Sequence, residues 1–316
     1  MTLFPSGFFD VIGMSRSSTT ADSISTHFGA IPLTPSATES LGSLRHSRLM
    51  LKADVPAGPV LFSGYMESDF LNTVPGHTPY RWRQLWGSAS IGKWQILGGK
   101  AWSLLRSNRS GTTSDTGMMN TDVIEPAYHV GLAGARTKQV RVTREMGEYQ
   151  AEIAWETTGN VLAKVVREWK HQHVEAVGFA GKGGRLGLAA SAVLRPDTRF
   201  RIVTQQYVSR RAADQALAVV PVGVNGGSTL EGVEVQVRKN LELYSYAGLV
   251  YGARTSPMQN RTVGEVTGGV NQRIPIPALH CSVLMSFQYS HLTRAIWEGR
   301  SGTMDYLMYR VRYTFN

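Results

Sequence analysis

Basic residues recur in this chain one at a time, on the polar side of segments that alternate polar and apolar side chains. Arg48, Lys52, Arg81, Arg83, Arg141, Arg201, Arg238, Arg310 and Arg312 all fall this way. A guanidinium offers a rigid fork of donors suited to carboxylates and phosphates. Fixed cations along a low-dielectric passage also raise the local concentration of anions. The chemistry these residues suggest is therefore anion attraction, not bond making. Asp10, Glu67, Asp69, Glu152 and Glu234 share the same faces, so part of the wall is expected to be salt-bridged. A Gly/Ser/Thr-rich stretch over 103–135 carries a second mixed set, Arg106, Arg109, Asp115, Asp122 and Glu125.

Signals for catalysis are weak by comparison. Lys170-His171-Gln172-His173 has a metal-binding look, but its place at a turn favours solvated histidines. Gly181-Lys182-Gly183-Gly184-Arg185 lacks the spacing of a phosphate loop or dinucleotide fingerprint. Neither a Gly-x-Ser-x-Gly elbow nor a His-Glu-x-x-His metal motif is found. No metal, cofactor or catalytic group is expected.

The elements that must hold the arginines are strands. In Tyr306 to Phe315, one face carries Leu307, Tyr309, Val311, Tyr313 and Phe315, and the other Tyr306, Met308, Arg310, Arg312 and Thr314. Strict alternation marks a strand with one apolar and one polar face. Arginines on one side and an aromatic stripe on the other suit a membrane barrel, apolar towards lipid and polar towards a watery lumen. The pattern recurs from Gly7 to Met14, Arg45 to Val55, Val60 to Leu71 and Tyr80 to Ser90. The phase of Trp94 to Trp102 is ambiguous, because Gly98-Gly99 is a candidate bulge. Further strands follow over 136–145, 149–156, 161–169, 173–180, 185–194, 199–209, 229–238, 241–252, 263–273 and 278–292, with a helical turn near Ala212 to Ala218.

About 16 strands of roughly 9 to 12 residues result, the length a tilted membrane strand needs. Their connections alternate in length. Those near 57, 92, 147, 171, 196, 239 and 276 are short, and those near 30, 75, 118, 158, 219, 257 and 298 are mostly longer, with an exception near 182. Short turns at one end and long loops at the other are the signature of an outer-membrane barrel. At this strand number the barrel is wide enough for an aqueous channel. The 103–135 stretch, as the third outer loop, is long enough to fold into the lumen and constrict it. The expected architecture is thus all-β: one domain over 1–316, an antiparallel up-and-down transmembrane barrel.

Composition bounds the alternatives. The 316 residues are 42% apolar and 18% charged, with 33 glycines. No run of 18 apolar residues signals a helical span, a test that barrels escape. The lone Cys281, on an apolar strand face, forms no internal disulfide. A net charge of +10 invites nucleic acid, but singly spaced cations without a basic block or helix argue against it. The first ten residues lack the features of a secretory signal.

Several stretches resemble the DcaP-like trimeric porins of Gram-negative outer membranes. They are Ser47-Arg48-Leu49, Gly64 to Phe70, Arg81-Trp82-Arg83-Gln84-Leu85-Trp86, Gly99-Lys100-Ala101-Trp102-Ser103 and Arg136 to Thr143. The resemblance runs over roughly 44–156 and loosely to the end. It implies a 16-stranded barrel, a homotrimer, and passive uptake of small, often anionic solutes. Lys100 stands where that pattern usually has Gln, which alters the charge near the base of the third loop. No N-terminal coiled coil is present, and the aromatic Phe315, of the kind read by the barrel assembly machinery, is followed by Asn316. The resulting expectation is an outer-membrane porin in the lipid bilayer, not an enzyme, passing small hydrophilic anions. A barrel-based lipase or protease, and a soluble all-β protein binding acidic ligands, are the competing readings.

Overall fold

The computed structural model describes residues 1–20, 24–71, 79–107, 121–125, 128–216, 220–279 and 281–315. Its β-segments are β1 (Thr2–Arg16), β2 (Glu39–Ser43), β3 (Arg48–Ala57), β4 (Val60–Asp69), β5 (Arg81–Ile91), β6 (Trp94–Trp102), β7 (Arg136–Met146), β8 (Tyr149–Glu156) and β9 (Asn160–Trp169). There follow β10 (Gln172–Gly181), β11 (Arg185–Leu194), β12 (Phe200–Arg210), β13 (Gly226–Arg238), β14 (Leu241–Gly252), β15 (Asn260–Ile276), β16 (Cys281–Ile296) and β17 (Ser301–Phe315). Each hairpin neighbour pairs antiparallel in a single sheet.

The sheet closes through β1. One of its edges pairs with β17, from Gly7 opposite Phe315 to Arg16 opposite Tyr306. Its other edge meets β3 over Thr2–Phe8 and β2 over Ile12–Arg16. β2 and β3 are therefore two lengths of one stave, and the result is a closed barrel of 16 staves. At the break the Asp10 backbone N–H donates to Ser47 Oγ, 3.0 Å away, in place of a strand partner. Closure matters physically, because an edge left open in lipid would strand its backbone donors and acceptors.

Burial alternates residue by residue along the staves. Val140, Val165, Leu188, Val208, Val266, Phe287 and Tyr309 lie on the outside, while Arg141, Lys164, Glu175, Gln205, Glu265, Gln288 and Arg310 are buried inside. Glu231 is an outward exception. Its carboxylate accepts from Thr204 Oγ1 at 2.8 Å and Gln206 Nε2 at 2.5 Å.

Three local expectations change. β1 is longer than Gly7 to Met14, since its first residues find partners on β3. The connection near 158 is short, with only 157–159 between β8 and β9. Gly98-Gly99 keeps regular pairing with β5 and β7. The register shift sits one hairpin earlier, between Glu67 and Ser68. The helical turn appears as a 3-10 turn at Ala213–Gln215.

The interior is also less watery than an open lumen. Ile24, Phe28 and Ile31 from 17–38, Leu104, Leu105, Ile124, Val130 and Ala133 from 103–135, and Ala212, Ala213, Val220 and Val224 from 211–225 share one apolar cluster. The wall contributes Ile12, Met14, Val250, Leu292 and Met304 to it. Each fully buried Ile or Leu contributes about 1.5–3 kcal/mol, which is what draws these connections together.

Candidate functional site

Inward positions recur every second residue, so Glu67 and Asp69 on β4 point the same way. The flanking staves bring arginine to both. Arg81 on β5 grips Asp69 through Nε at 2.9 Å and Nη2 at 2.7 Å. Arg83 spans the two acids, Nε to Glu67 at 2.5 Å and Nη1 to Asp69 at 2.6 Å. The register shift beside Glu67 lets Gln84 reach the same carboxylate, Nε2 donating at 3.0 Å, while Tyr65 donates its hydroxyl at 3.1 Å. Arg48 on β3 lies 3.4 Å from Glu67.

Across the closure seam, Arg312 holds Asp10 with Nε at 2.8 Å and Nη2 at 2.5 Å. Its guanidinium also sits 3.7 Å from the Phe8 ring centre. Arg136 lies over the Trp102 ring at 4.8 Å. These arginines line one side of a cavity of about 300 Å³. Ser25, His46, Glu125 and Tyr128 form the other side. Five guanidiniums (Arg48, Arg81, Arg83, Arg136, Arg312) meet three wall carboxylates (Asp10, Glu67, Asp69) and Glu125 opposite them, leaving an excess of one positive charge among these described residues. Arg48 Nε and Arg136 Nη1 are buried without a hydrogen-bond partner among the described residues.

Opposite that wall, Glu125 is clasped by His46 Nε2 at 2.5 Å and by the Ser25 hydroxyl at 3.0 Å. Both bonds end on Oε1, so the Ser25 hydroxyl is directed at the carboxylate. Activating a serine needs imidazole on the hydroxyl and carboxylate behind it. Tyr128 stacks on Phe28 at 4.8 Å and donates its hydroxyl to the Thr26 carbonyl at 2.7 Å. Burial, with Glu125 and Glu265 nearby, holds that phenol well above its ordinary range.

The 103–135 connection is bonded to staves far apart around the barrel. Asp122 N–H donates to Tyr246 Oη at 2.8 Å, Ile124 N–H to Gln288 Oε1 at 2.7 Å, Val130 N–H to Glu265 Oε2 at 3.0 Å, and Ala133 N–H to Gln205 Oε1 at 3.0 Å. Arg310 Nη1 returns a bond to the Ile124 carbonyl at 2.7 Å, and Lys164 Nζ one to the Arg106 carbonyl at 3.3 Å. Arg106 itself donates to the Gly134 carbonyl at 3.0 Å, and burial pulls its guanidinium down to about 9. Gly131 and Gly248 allow close approach, since a Cβ at either would run into the backbone of β13 or of Val130 respectively.

The remaining sequence-derived residues scatter. Arg201 bridges Asp122 at 2.9 Å and Glu234, and the latter also accepts from Tyr246 Oη. Asp122, Glu234 and Glu242 gather their carboxylates within 4.8 Å, but the Arg201 guanidinium already supplies positive charge there. Arg141 approaches Glu152 at 3.5 Å and the Trp102 carbonyl at 2.5 Å. Lys52 is half-exposed, 3.5 Å from Asp54. Arg238 is exposed at the β13–β14 turn, where a register shift follows Gln236, and does not join the others. Arg109 and Asp115 lie outside the described residues. Lys100 has the outward phase of β6, opposite Leu85, and donates Nζ to the Trp82 carbonyl at 2.9 Å, with the cavity-wall residues Arg136, Arg81 and Arg83 among its charged neighbours.

Sequence reasoning missed a buried relay. His173 is not solvated: it lies between Glu168 at 2.7 Å and Glu175 at 3.0 Å, and Glu175 also meets Lys164 at 2.6 Å. It also missed Gln205, Glu265 and Gln288, the acceptors of the 103–135 backbone. The available signal was parity alone, because each is a polar residue on the inward phase of its strand.

No family model matches the sequence, and no curated protein matches it. Solved structures do. The outer membrane channel DcaP of Acinetobacter baumannii superposes with a TM-score of 0.80 at 14% identity, over 99% of this chain and 97% of that one. An anion-selective porin from Comamonas acidovorans gives 0.68 at 11% identity over 99% of both chains. OmpT, an outer membrane protein of Vibrio cholerae in its trimer form, gives 0.62 at 11% identity over the full length of both. The fold is that of the DcaP-like porin barrels.

Proposed function

We propose that this chain is a porin of a Gram-negative outer membrane, a water-filled channel through which small hydrophilic anions diffuse passively. The observation that carries the reading is the arginine wall, five guanidiniums against four carboxylates around a cavity inside a closed barrel with an apolar exterior. An excess of fixed cations in a narrow, low-dielectric passage favours anions over cations. Arg48, Arg81, Arg83, Arg310 and Arg312 line the passage, the paired acids hold their side chains in place, and the 103–135 connection narrows it. The outward apolar belt faces the lipid bilayer, the terminal strand is the segment that the barrel assembly machinery reads, and three copies assemble as a homotrimer. The last point draws support from the trimeric form of the OmpT relative in shape. Enzymatic turnover is not part of this reading.

Reversal potentials across planar bilayers in a salt gradient test the channel and its preference together. An anion-preferring conductance is expected. Clear cation preference, or no conductance at all, overturns the proposal.

The glycine contacts give a second measurement. In Gly248→Val the new side chain meets the Val130 carbonyl and displaces the 128–133 segment from the wall. Single-channel recordings are expected to show a larger or noisier conductance than wild type; an unaltered trace would mean that this segment does not limit flow.

A further inference from the structure

On the outside of the barrel, at the long-loop end, Lys100 and Lys138 stand directly opposite each other across the β6–β7 pair. Like charges in that position repel. Among the described residues neither lysine has a carboxylate partner; Lys100 Nζ settles on the Trp82 carbonyl, and Lys138 is exposed. The next pair towards the rim, Trp102 opposite Arg136, belongs to the cavity lining and not to this outer surface. Towards the middle of the wall the outward neighbours become apolar at once, with Leu85, Ile96 and Val140 about half exposed. The cations therefore mark the boundary between the apolar band and the polar rim.

Aromatic rings continue this boundary sideways. Trp82 packs edge-on against Tyr80 at 5.2 Å and Tyr80 against Phe70 at 6.2 Å, and the Phe70 carbonyl accepts from Arg45 Nε at 2.8 Å. Amphipathic rings with interleaved cations are what a membrane–water interface selects. The surface wants an anion that arrives with apolar chains attached.

We propose that this outward patch, built on Lys100 and Lys138 with the Trp82 aromatic ladder, binds the phosphorylated headgroup of an outer-leaflet glycolipid. The inference rests on the barrel lying in an outer membrane. Phosphate oxygens bridge the two ammonium groups and relieve their repulsion, while the acyl chains lie along Leu85, Ile96 and Val140. A second copy of this chain fits less well. The outward carboxylates on other staves are already engaged: Glu231 by Thr204 and Gln206, and Asp305 by Tyr289 and His291.

Native mass spectrometry of the full chain in maltoside detergent tests this, using bisphosphorylated lipid A and the same lipid with both phosphates removed as probes. Wild type is expected to retain the phosphorylated form roughly tenfold better. Lys100→Gln with Lys138→Gln is expected to abolish that preference, and Lys100→Arg with Lys138→Arg to keep it. Equal retention of both lipids by wild type, or a preference that survives the Gln pair, overturns the proposal. So does displacement of the lipid by millimolar inorganic phosphate, which would mark a free-anion site, or a changed number of subunits at unchanged lipid per chain, which would assign the surface to a second copy. Bilayer conductance of the same preparations is expected to be unaltered by the Gln pair. Its absence in wild type would count against the channel and leave the lipid result separately readable.

Discussion

Replacing Arg48, Arg81 and Arg136 together by glutamine is expected to reverse the sign of the zero-current potential in a salt gradient. The three changes turn an excess of one positive charge around the cavity into an excess of two negative charges. They do so without stranding an acid. Glu67 keeps Arg83, Gln84 and Tyr65, and Asp69 keeps Arg83. Field focusing in a confined passage changes local ion concentrations by about tenfold or more, so the anion-to-cation permeability ratio should fall by roughly that factor. Lys52→Gln with Arg238→Gln serves as the comparison. Lys52 is half-exposed and Arg238 lies at the turn, where screening by salt is effective. That pair should move the ratio by less than about twofold. A triple variant as anion-preferring as wild type would remove the arginine wall from the mechanism.

The second large effect is on stability. Arg312→Met is expected to destabilise the barrel by about 3 kcal/mol, because breaking a buried pair from one side leaves the other charge uncompensated. Asp10 has no exposed surface, and both its carboxylate oxygens take a guanidinium bond. Arg310 stays engaged with Ile124 and Ser286 and offers no ready substitute. Urea unfolding in detergent micelles, followed by tryptophan fluorescence, reads the loss. Adding Asp10→Asn removes the orphaned charge and should recover a good part of it, a coupling that a double-mutant cycle isolates. If the double variant were as unstable as the sum of the singles, the two residues would be acting independently.

The strand pattern carried most of the architecture in plain view. Tyr306 to Phe315 shows both faces of β17 in ten residues, and the same phase predicts inward burial of Arg83, Arg141, Glu152 and Arg310. This works because lipid and lumen impose opposite demands on alternate positions. What parity does not encode is partnership. Arg81 and Arg83 read alike, yet one is a bidentate clamp on Asp69 and the other bridges two acids. Arg238 has the inward phase, but a register shift at the strand end cancels it. Glu125 and His46, 79 residues apart, meet only because two irregular connections pack together, and irregular backbone leaves no period to detect. The apolar cluster among 17–38, 103–135 and 211–225 was hidden for the same reason: its residues are sparse within polar stretches, and their common destination is set by three-dimensional proximity.

The pairing of β1 with β17 has a bearing on how the molecule is made. Fifteen of the sixteen junctions between staves join segments a few dozen residues apart, but the last joins side chains separated by 302 positions. Until it forms, two curved margins present bare amide and carbonyl groups, adhesive towards any other extended chain. Such distant pairing is slow, so the nascent sheet depends on surroundings that shield those margins until the cylinder shuts.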